Sequence, residues 1–439
     1  TVALGSGASQ TGFGRTGTVD WITTPKVTGD SPITAVTGKG YFLNTTAGTI
    51  TVNLPAGAAG SIVSLADYAA TWQTNNVTVN ANGTEKIGGV GSVGVTLNTE
   101  GQSVTFVYVD STQGWINTMD STSNVRAVTY IAATVSGACN AIVTSGDFKT
   151  AIFKGPGTFC VSSLSSAPPT NTVDYMVVAG GGGSYGGGGG AGGFRMYSTA
   201  PGCNSPLNNY GASPNTEVTV TASPYTITVG GSGATSPASP PYCGPVATAG
   251  GLSTFSTVTS AGGGRGGNYT PGANPNSDGC GGAGGAGGGG GYTASGSATV
   301  AGGTGNSPPV APSQGFAGGT GKHCQGVWSA TGGGGGAAAV GINGAPGVQS
   351  NGGAGSYIAD TFIGPTAPSY GETGPVGSTR YFAGGGGGDG PTSPVGGVGG
   401  GGDPPGGNGV INTGGGGAGA GTPSGAGGSG IVMIRYRFQ

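Results

Sequence analysis

Val177-Val178-Ala179 runs directly into Gly181-x-Gly183-x-x-Gly186. A strand followed by that glycine spacing binds dinucleotides when a helix begins at once, because the helix N-terminus then meets the pyrophosphate. Here residues 186–190, 192 and 193 are all glycine. Each glycine inside a helix costs about 1 kcal/mol relative to alanine, so no helix follows and the match is a chance one. Gly321-Lys322 has the end of a phosphate-binding loop, but Phe316 stands where the first glycine belongs and His323 where Ser or Thr belongs. His323-Cys324 sets a base beside a nucleophile, yet adjacent side chains point apart and no third group orients them. Glycan cleavage requires two facing carboxylates. Asp278, Asp360, Glu372, Asp389 and Asp403 could supply them, and nothing in their spacing pairs any two. The expectation is a protein without catalysis, cofactor or metal.

The six cysteines, Cys139, Cys160, Cys203, Cys243, Cys280 and Cys324, are confined to the middle of the chain. Three disulfides are the expectation for an even count in a loop-rich region, with free buried thiols as the alternative. A zinc site is disfavoured because no Cys-x-x-Cys pair occurs and His323 is the only histidine. Disulfides would place the mature protein outside a reducing cytoplasm. The formal net charge is −2, and the 13 Lys+Arg are scattered without a basic run, which excludes an electrostatic nucleic-acid footprint. No apolar stretch approaches the roughly 18 residues of a membrane-spanning helix. The chain begins at Thr1 rather than Met and carries no secretory signal, so further sequence is expected upstream.

Residues able to recognise a partner are more evident. Phe194, Arg195, Tyr197, Tyr210, Tyr242, Tyr269, Tyr292, Trp328, Tyr357, Phe362, Tyr370, Arg380 and Tyr381 stand between glycine runs. Rings and guanidinium groups on loops bring large amphipathic area at low entropy cost, which suits contact with a receptor. All but Tyr292 are taken as contact candidates, with the segments 194–261 and 337–383 foremost. The competing reading is that these rings cap open faces of the fold in place of a core.

The elements that must position them fall into stretches of different composition. Residues 1–16 read as a linker or attachment segment and 17–122 as a β-rich module. Within it, 49–54 alternates so that Ile50, Val52 and Leu54 share a face, and 76–80 alternates up to Asn82-Gly83, a favoured hairpin turn. Residues 104–109 are apolar on both faces and predict a central strand, with another starting at Gly114-Trp115-Ile116. A helical turn is expected over 64–72, where Leu65, Tyr68, Ala69 and Trp72 share a helical face. Residues 126–178 read as a smaller β-rich module, with two strands about Gly155-Pro156-Gly157 and a buried strand over 173–178.

Residues 179–439 differ from both. Of the 106 glycines, 84 lie from Gly180 onward, and seven runs hold four or more in succession. Glycine brings no side chain to bury and loses the most backbone entropy on ordering, so no apolar core forms this way. A run in the polyproline II conformation turns every three residues and rises about 3.1 Å per residue, with its backbone groups pointing outward. Lacking Cβ atoms, such rods can approach and exchange main-chain hydrogen bonds, giving a slab whose loops emerge at its ends. Ala191, Ala283, Ala286, Ala337 and Ala338 fit as small residues at the lattice edges. The fold class predicted is mainly β: sandwich-like N-terminal modules, then packed polyglycine II helices with long loops.

The motifs 173–183 (Val-Asp-Tyr-Met-Val-Val-Ala and four glycines), Gly192-Gly193-Phe194-Arg195 and the terminal Gly430-Ile431-Val432-Met433-Ile434-Arg435-Tyr436 carry a resemblance. The chain resembles the glycine-rich receptor-binding tips of tailed-bacteriophage fibres, in particular those of T-even-type phages. Residues 17–122, with Val19-Asp20-Trp21, Gly40-Tyr41-Phe42 and Gln113-Gly114-Trp115, look like a fibre module common in phages of aquatic bacteria, including cyanophages. The resemblance implies a virion tail-fibre protein, extracellular, binding a host surface protein or glycan through inter-rod loops. It implies other virion tail proteins as partners and a homo-oligomer, trimeric as fibres commonly are, although the slab itself can be one chain. An extracellular filament or capsid-fibre subunit is the alternative, and a polysaccharide depolymerase a lesser one.

Overall fold

The computed structural model describes residues 19–439 except 92–93, 121–128, 167–170, 201–204, 212–215, 237–246, 271–277, 294–297, 323–329, 391–392 and 421–422. The linker expected over 1–16 lies outside the described residues. The chain divides into two compact units, 1–129 and 130–439.

The first unit is a β-sandwich. A seven-stranded sheet faces a four-stranded one, and the side chains between them form one core. Ile50, Val52, Leu54, Val77 and Val79 are buried there, as their alternation requires. Ser103–Asp110 is the central strand expected, flanked by Ile62–Asp67 and Gly114–Asp120. Two expectations are corrected. Residues 64–72 are not helical: Ile62–Asp67 is a strand, and the chain then turns about the Asp67 carboxylate. Its oxygens accept the Ala69, Trp72 and Gly101 amides, which satisfies the backbone without a helical ladder. Asn82-Gly83 makes a turn with Gly83 at φ +55°, but not a hairpin. Val77–Asn80 pairs with Ile50–Asn53 and Val95–Leu97, while Lys86–Ile87 joins the opposite sheet.

In the second unit the boundary expected at 178/179 disappears. Thr172–Val178 and the terminal Ile431–Arg437 pair antiparallel, so the strands bracketing the glycine region close on one another. They are central in a sheet ordered Ala141–Ser145, Phe148–Phe153, Ile431–Arg437, Thr172–Val178, Phe194–Tyr197. The Gly155-Pro156-Gly157 turn carries the chain into a second sheet rather than closing a hairpin, since Gly157–Ser163 pairs with Ala132–Val135 and Pro224–Thr228. Val173, Tyr175, Val177, Val432 and Ile434 fill the core on one face of the first sheet. Met176, Val178, Ile431 and Met433 line the other face, against Ala191, Ala286 and Ala337. These three alanines are therefore buried where glycine rods meet the sheet, not at lattice edges; Ala283 and Ala338 are exposed. Asp174 and Arg435, opposite each other in register, form a buried ion pair at 3.0 Å. Thr199 donates to the same carboxylate from its amide and hydroxyl, and Arg435 lies over the Phe148 ring.

The glycine runs are rods whose hydrogen bonds repeat every three residues. In the rod 187–193, the Gly187, Gly190 and Gly193 amides donate to Gly267, Gly264 and Ala261. Gly188 and Ala191 donate to Gly332 and Gly335, and Gly189 and Gly192 to Gly417 and Gly414. Its carbonyls accept from Gly182, from Ala286 and Gly289, and from Gly386. The rod thus has six neighbours, three accepting from it and three donating to it. Each neighbour also bonds the next around the ring, from 180–184 through 261–267, 285–291, 332–336 and 383–388 to 414–419 and back. This is hexagonal packing. The rods 180–184 and 332–336 have six neighbours each as well, which sets a middle row ordered 230–236, 180–184, 187–193, 332–336, 339–344. No glycine of 180–193 has a positive φ, so conformational freedom is not why glycine is required. A Cβ on Gly189 would stand inside contact distance of the Gly182 carbonyl and 3.0 Å from the Gly417 nitrogen.

Candidate functional site

Rod direction gives the slab two different ends. The rod 180–184 leaves the strand Thr172–Val178, and 187–193 returns into Phe194–Tyr197, so the turn at 184–187 is remote from the sheet. Hydrogen-bond register then places every other rod end. Residues 251, 261, 316, 337, 383, 414 and 430 lie level with 180 and 193, at the sheet end. Residues 267–270, 291–293, 330–331, 344–350, 389, 420 and 425 lie level with the 184–187 turn, at the far end. Chain entry at Ala132–Val135 and the terminal strand Ile431–Arg437 both belong to the sheets. Among the described residues the far end carries rod turns and the short pairing of Thr299–Val300 with Gly321–Lys322, and neither end of the unit.

The contact candidates separate along this axis. Nine of the twelve stand at the sheet end, and several are structural. Phe194 and Phe362 are buried in the core against the rods, and Tyr197 in the core between the sheets. The Tyr197 hydroxyl donates to Glu217; burial, with Glu217 second, pushes its pKa up to about 12. Tyr381 is buried and packs on half-buried Tyr357 at 5.2 Å between centroids. Arg380 donates to the carbonyls of Pro368, Tyr370 and Gly371 and to the Thr373 hydroxyl, pinning that loop. The capping reading holds for these residues, because rods without side chains leave their ends to be closed by rings from the loops. Arg195 and Tyr370 are half-buried, and Tyr210 is 59% exposed, edge-on to Tyr197.

Tyr269 is at the far end, where it meets Tyr292 edge-on with ring centroids 5.2 Å apart. Backbone bonds fix that pair: the Thr270 amide donates to the Tyr292 carbonyl, and Thr270 bridges Thr293. Beside them the Thr331 hydroxyl donates to the Gly186 carbonyl and accepts the Asp389 amide, tying three rod ends together. Burial raises the Asp389 carboxyl above its ordinary value. Tyr242 and Trp328 lie outside the described residues, although residues 236, 247, 322 and 330 flanking their segments are at this end. Tyr292 was left out of the contact candidates; its position directly after the run 287–291 was the available signal.

The chemistry considered from sequence is scattered. Asp360 and Glu372 belong to the sheet end and Asp278, Asp389 and Asp403 to the far end. Glu372 Oε2 accepts the Gly399 and Gly400 amides, closing a rod turn. Asp403 Oδ1 likewise accepts the Gly396 amide. Among the described residues no group of three His, Cys, Asp or Glu could hold a metal. Cys139, Cys160 and Cys280 are free thiols, which corrects the expected bridges at those positions. Cys160 lies within the strand Gly157–Ser163, and Cys139 in the connection between Ala132–Val135 and Ala141–Ser145. Cys203, Cys243, His323 and Cys324 lie outside the described residues. No helix among them is long and apolar enough to cross a membrane.

A family model described as a glycine-rich domain matches residues 156–437. The match starts at the turn into Gly157–Ser163 and ends in Ile431–Arg437, taking in the strands that clamp the slab as well as the slab itself. The chain belongs to the glycine-rich domain family. Membership therefore covers the rods together with the sheet that closes them, which the 178/179 division would have cut apart. Comparison with curated proteins returns no match.

Proposed function

We propose that this glycine-rich domain is the receptor-binding tip of a virion tail fibre, acting without catalysis or cofactor. One observation carries the reading: the strands by which the unit is entered and left, Ala132–Val135 and Ile431–Arg437, lie in the sheets, and the described residues of the opposite end are rod turns and one short two-stranded pairing. A tether enters on one side and leaves the other free to meet a surface. Hydrogen bonds fix the rod ends under those turns, so a partner does not have to order the platform, which lowers the entropic cost of binding. The Tyr269–Tyr292 pair is a partly exposed aromatic feature of that end. The partner would be a surface protein or glycan of a bacterial host, with other tail proteins and further copies of the chain on the sheet side.

The test is adsorption of the labelled full chain to a panel of Gram-negative bacteria that includes cyanobacteria. Saturable binding to at least one strain is expected. Truncating both rings, Tyr269→Ser with Tyr292→Ser, should weaken it by about thirtyfold, the loss of one ~2 kcal/mol hot spot, with thermal unfolding unchanged. Absence of adsorption to every strain, together with assembly into rods, would favour the filament subunit instead.

A further inference from the structure

A cleft of about 320 Å³ opens at the sheet end, lined by Lys154, Ser369, Tyr370, Ile411, Asn412 and Thr413 among others. It is separate from the far-end loops and is at the lower end of the ~300–1,000 Å³ range of small-molecule sites. We infer that it binds a carboxylate-bearing sugar.

Both walls are held in place before any ligand arrives. Arg380 fixes the 368–373 loop through its four hydrogen bonds, and the Tyr370 ring packs against the core below. The opposite turn is fixed where the Asn412 amide donates to the Ser429 hydroxyl and the Thr413 hydroxyl to the Val410 carbonyl. Asn412 has φ +59°, a conformation asparagine tolerates better than most residues, so its side chain is set by the turn.

The lining supplies complementary chemistry. No carboxylate lines the cleft, and Lys154 is in no ion pair among the described residues. Its ammonium is thus available to an anion. The Asn412 side-chain nitrogen and the Tyr370 hydroxyl make no hydrogen bond among the described residues and can meet sugar hydroxyls. Ile411, 70% exposed, and the Tyr370 ring give apolar surface at the mouth. A sugar ring joins an apolar C–H face to a rim of hydroxyls. An acid group on it would reach the one cation, whereas a purely apolar ligand would leave these donors unpaired.

The experiment titrates the full chain with trigalacturonate and, in parallel, with neutral maltotriose, by calorimetry. Binding of the acidic trisaccharide at least tenfold tighter than the neutral one is expected, with the difference removed by Lys154→Gln. Asn412→Gly, which keeps the turn conformation, should weaken both ligands. The far-end pair Tyr269→Ser/Tyr292→Ser should change neither, so failure here and failure of receptor adsorption are told apart. No binding of trigalacturonate, equal affinity for the two sugars, or affinity unaltered in both cleft variants would each overturn the inference.

Discussion

Replacing Gly189 by alanine tests what holds the slab together. In ordinary chain this substitution is mildly favourable: where φ is negative, Gly→Ala stabilises by ~0.4–1 kcal/mol by restricting the unfolded chain. Gly189 has no positive φ, so that argument alone predicts a gain. The lattice predicts the reverse. A methyl there would overlap the Gly182 carbonyl and press on the Gly417 nitrogen, both of them backbone that cannot rotate away. Relief requires the rods 180–184 and 414–419 to move, stretching the bonds from Gly189 to Gly417 at 2.8 Å and from Gly182 to Gly190 at 2.9 Å. Overpacking costs ~1–3 kcal/mol, and each weakened buried hydrogen bond adds ~0.5–1.5 kcal/mol. The expected loss is about 2–5 kcal/mol, measured by chemical denaturation of the full chain. Gly231 is the control: it lies on the edge rod 230–236, and a Cβ there meets nothing within 4 Å. Gly231→Ala should leave stability unchanged or raise it by up to ~1 kcal/mol. If Gly189→Ala is as stable as the parent, or if both variants fall together, cohesion by close backbone approach is refuted.

Alkaline pH gives a second test. Burial pushes Tyr436 up to about 12 and Tyr197 to a similar value, whereas an unfolded tyrosine ionises near 10. The folded chain keeps protons that the unfolded chain has lost, so stability is fully present below about pH 10 and falls as the pH rises toward about 12; a denaturation midpoint that stays flat from about pH 9 to 11 would contradict this. A third concerns the slab edge: Val340→Gly with Ile342→Gly should cause concentration-dependent association beyond that of the parent in sedimentation velocity, and unchanged sedimentation would show that these side chains do not guard the edge.

Much of the fold was legible in the sequence because its signals are local. Alternation at Ile50, Val52 and Leu54 marks a half-buried strand whatever its partner. Runs such as 186–190 exclude helix and apolar core alike, which leaves rods or disorder. The 64–72 segment misled because Leu65 and Trp72, both buried, have helical spacing, while the deciding group was the Asp67 carboxylate between them. The candidate site was less legible for a related reason. Phe194 and Tyr269 both follow glycine-rich stretches by one or two residues, yet one is core at the sheet end and the other lies on the far end. What separates them is the direction in which each rod runs. That direction follows from pairing among rods distant in the chain, such as Gly189 with Gly386 and Gly181 with Gly428, and no local pattern encodes it.

The same lattice distinguishes a tip from a filament. A slab held by main-chain bonds has no intrinsic width, because each outer rod offers unpaired amides to any further rod, as an exposed strand edge does in a sheet. Interior rods accept neighbours only because glycine lets the backbones touch. At one end of the middle row stands the rod 339–344, with Val340 and Ile342 53% and 42% exposed where interior rods carry glycine. A Cβ on an interior glycine already violates contact distance, so a valine and an isoleucine hold a further rod beyond hydrogen-bonding reach. The opposite edge rod 230–236 exposes Ser232 and Ala234 in the same way. Side chains at both edges end the row, whereas a filament built by lateral addition would need glycine there. With side chains ending the middle row and one end of the slab bearing the sheets, a further surface is met at the far end rather than by lateral addition of rods, and that is the end on which the receptor-binding proposal rests.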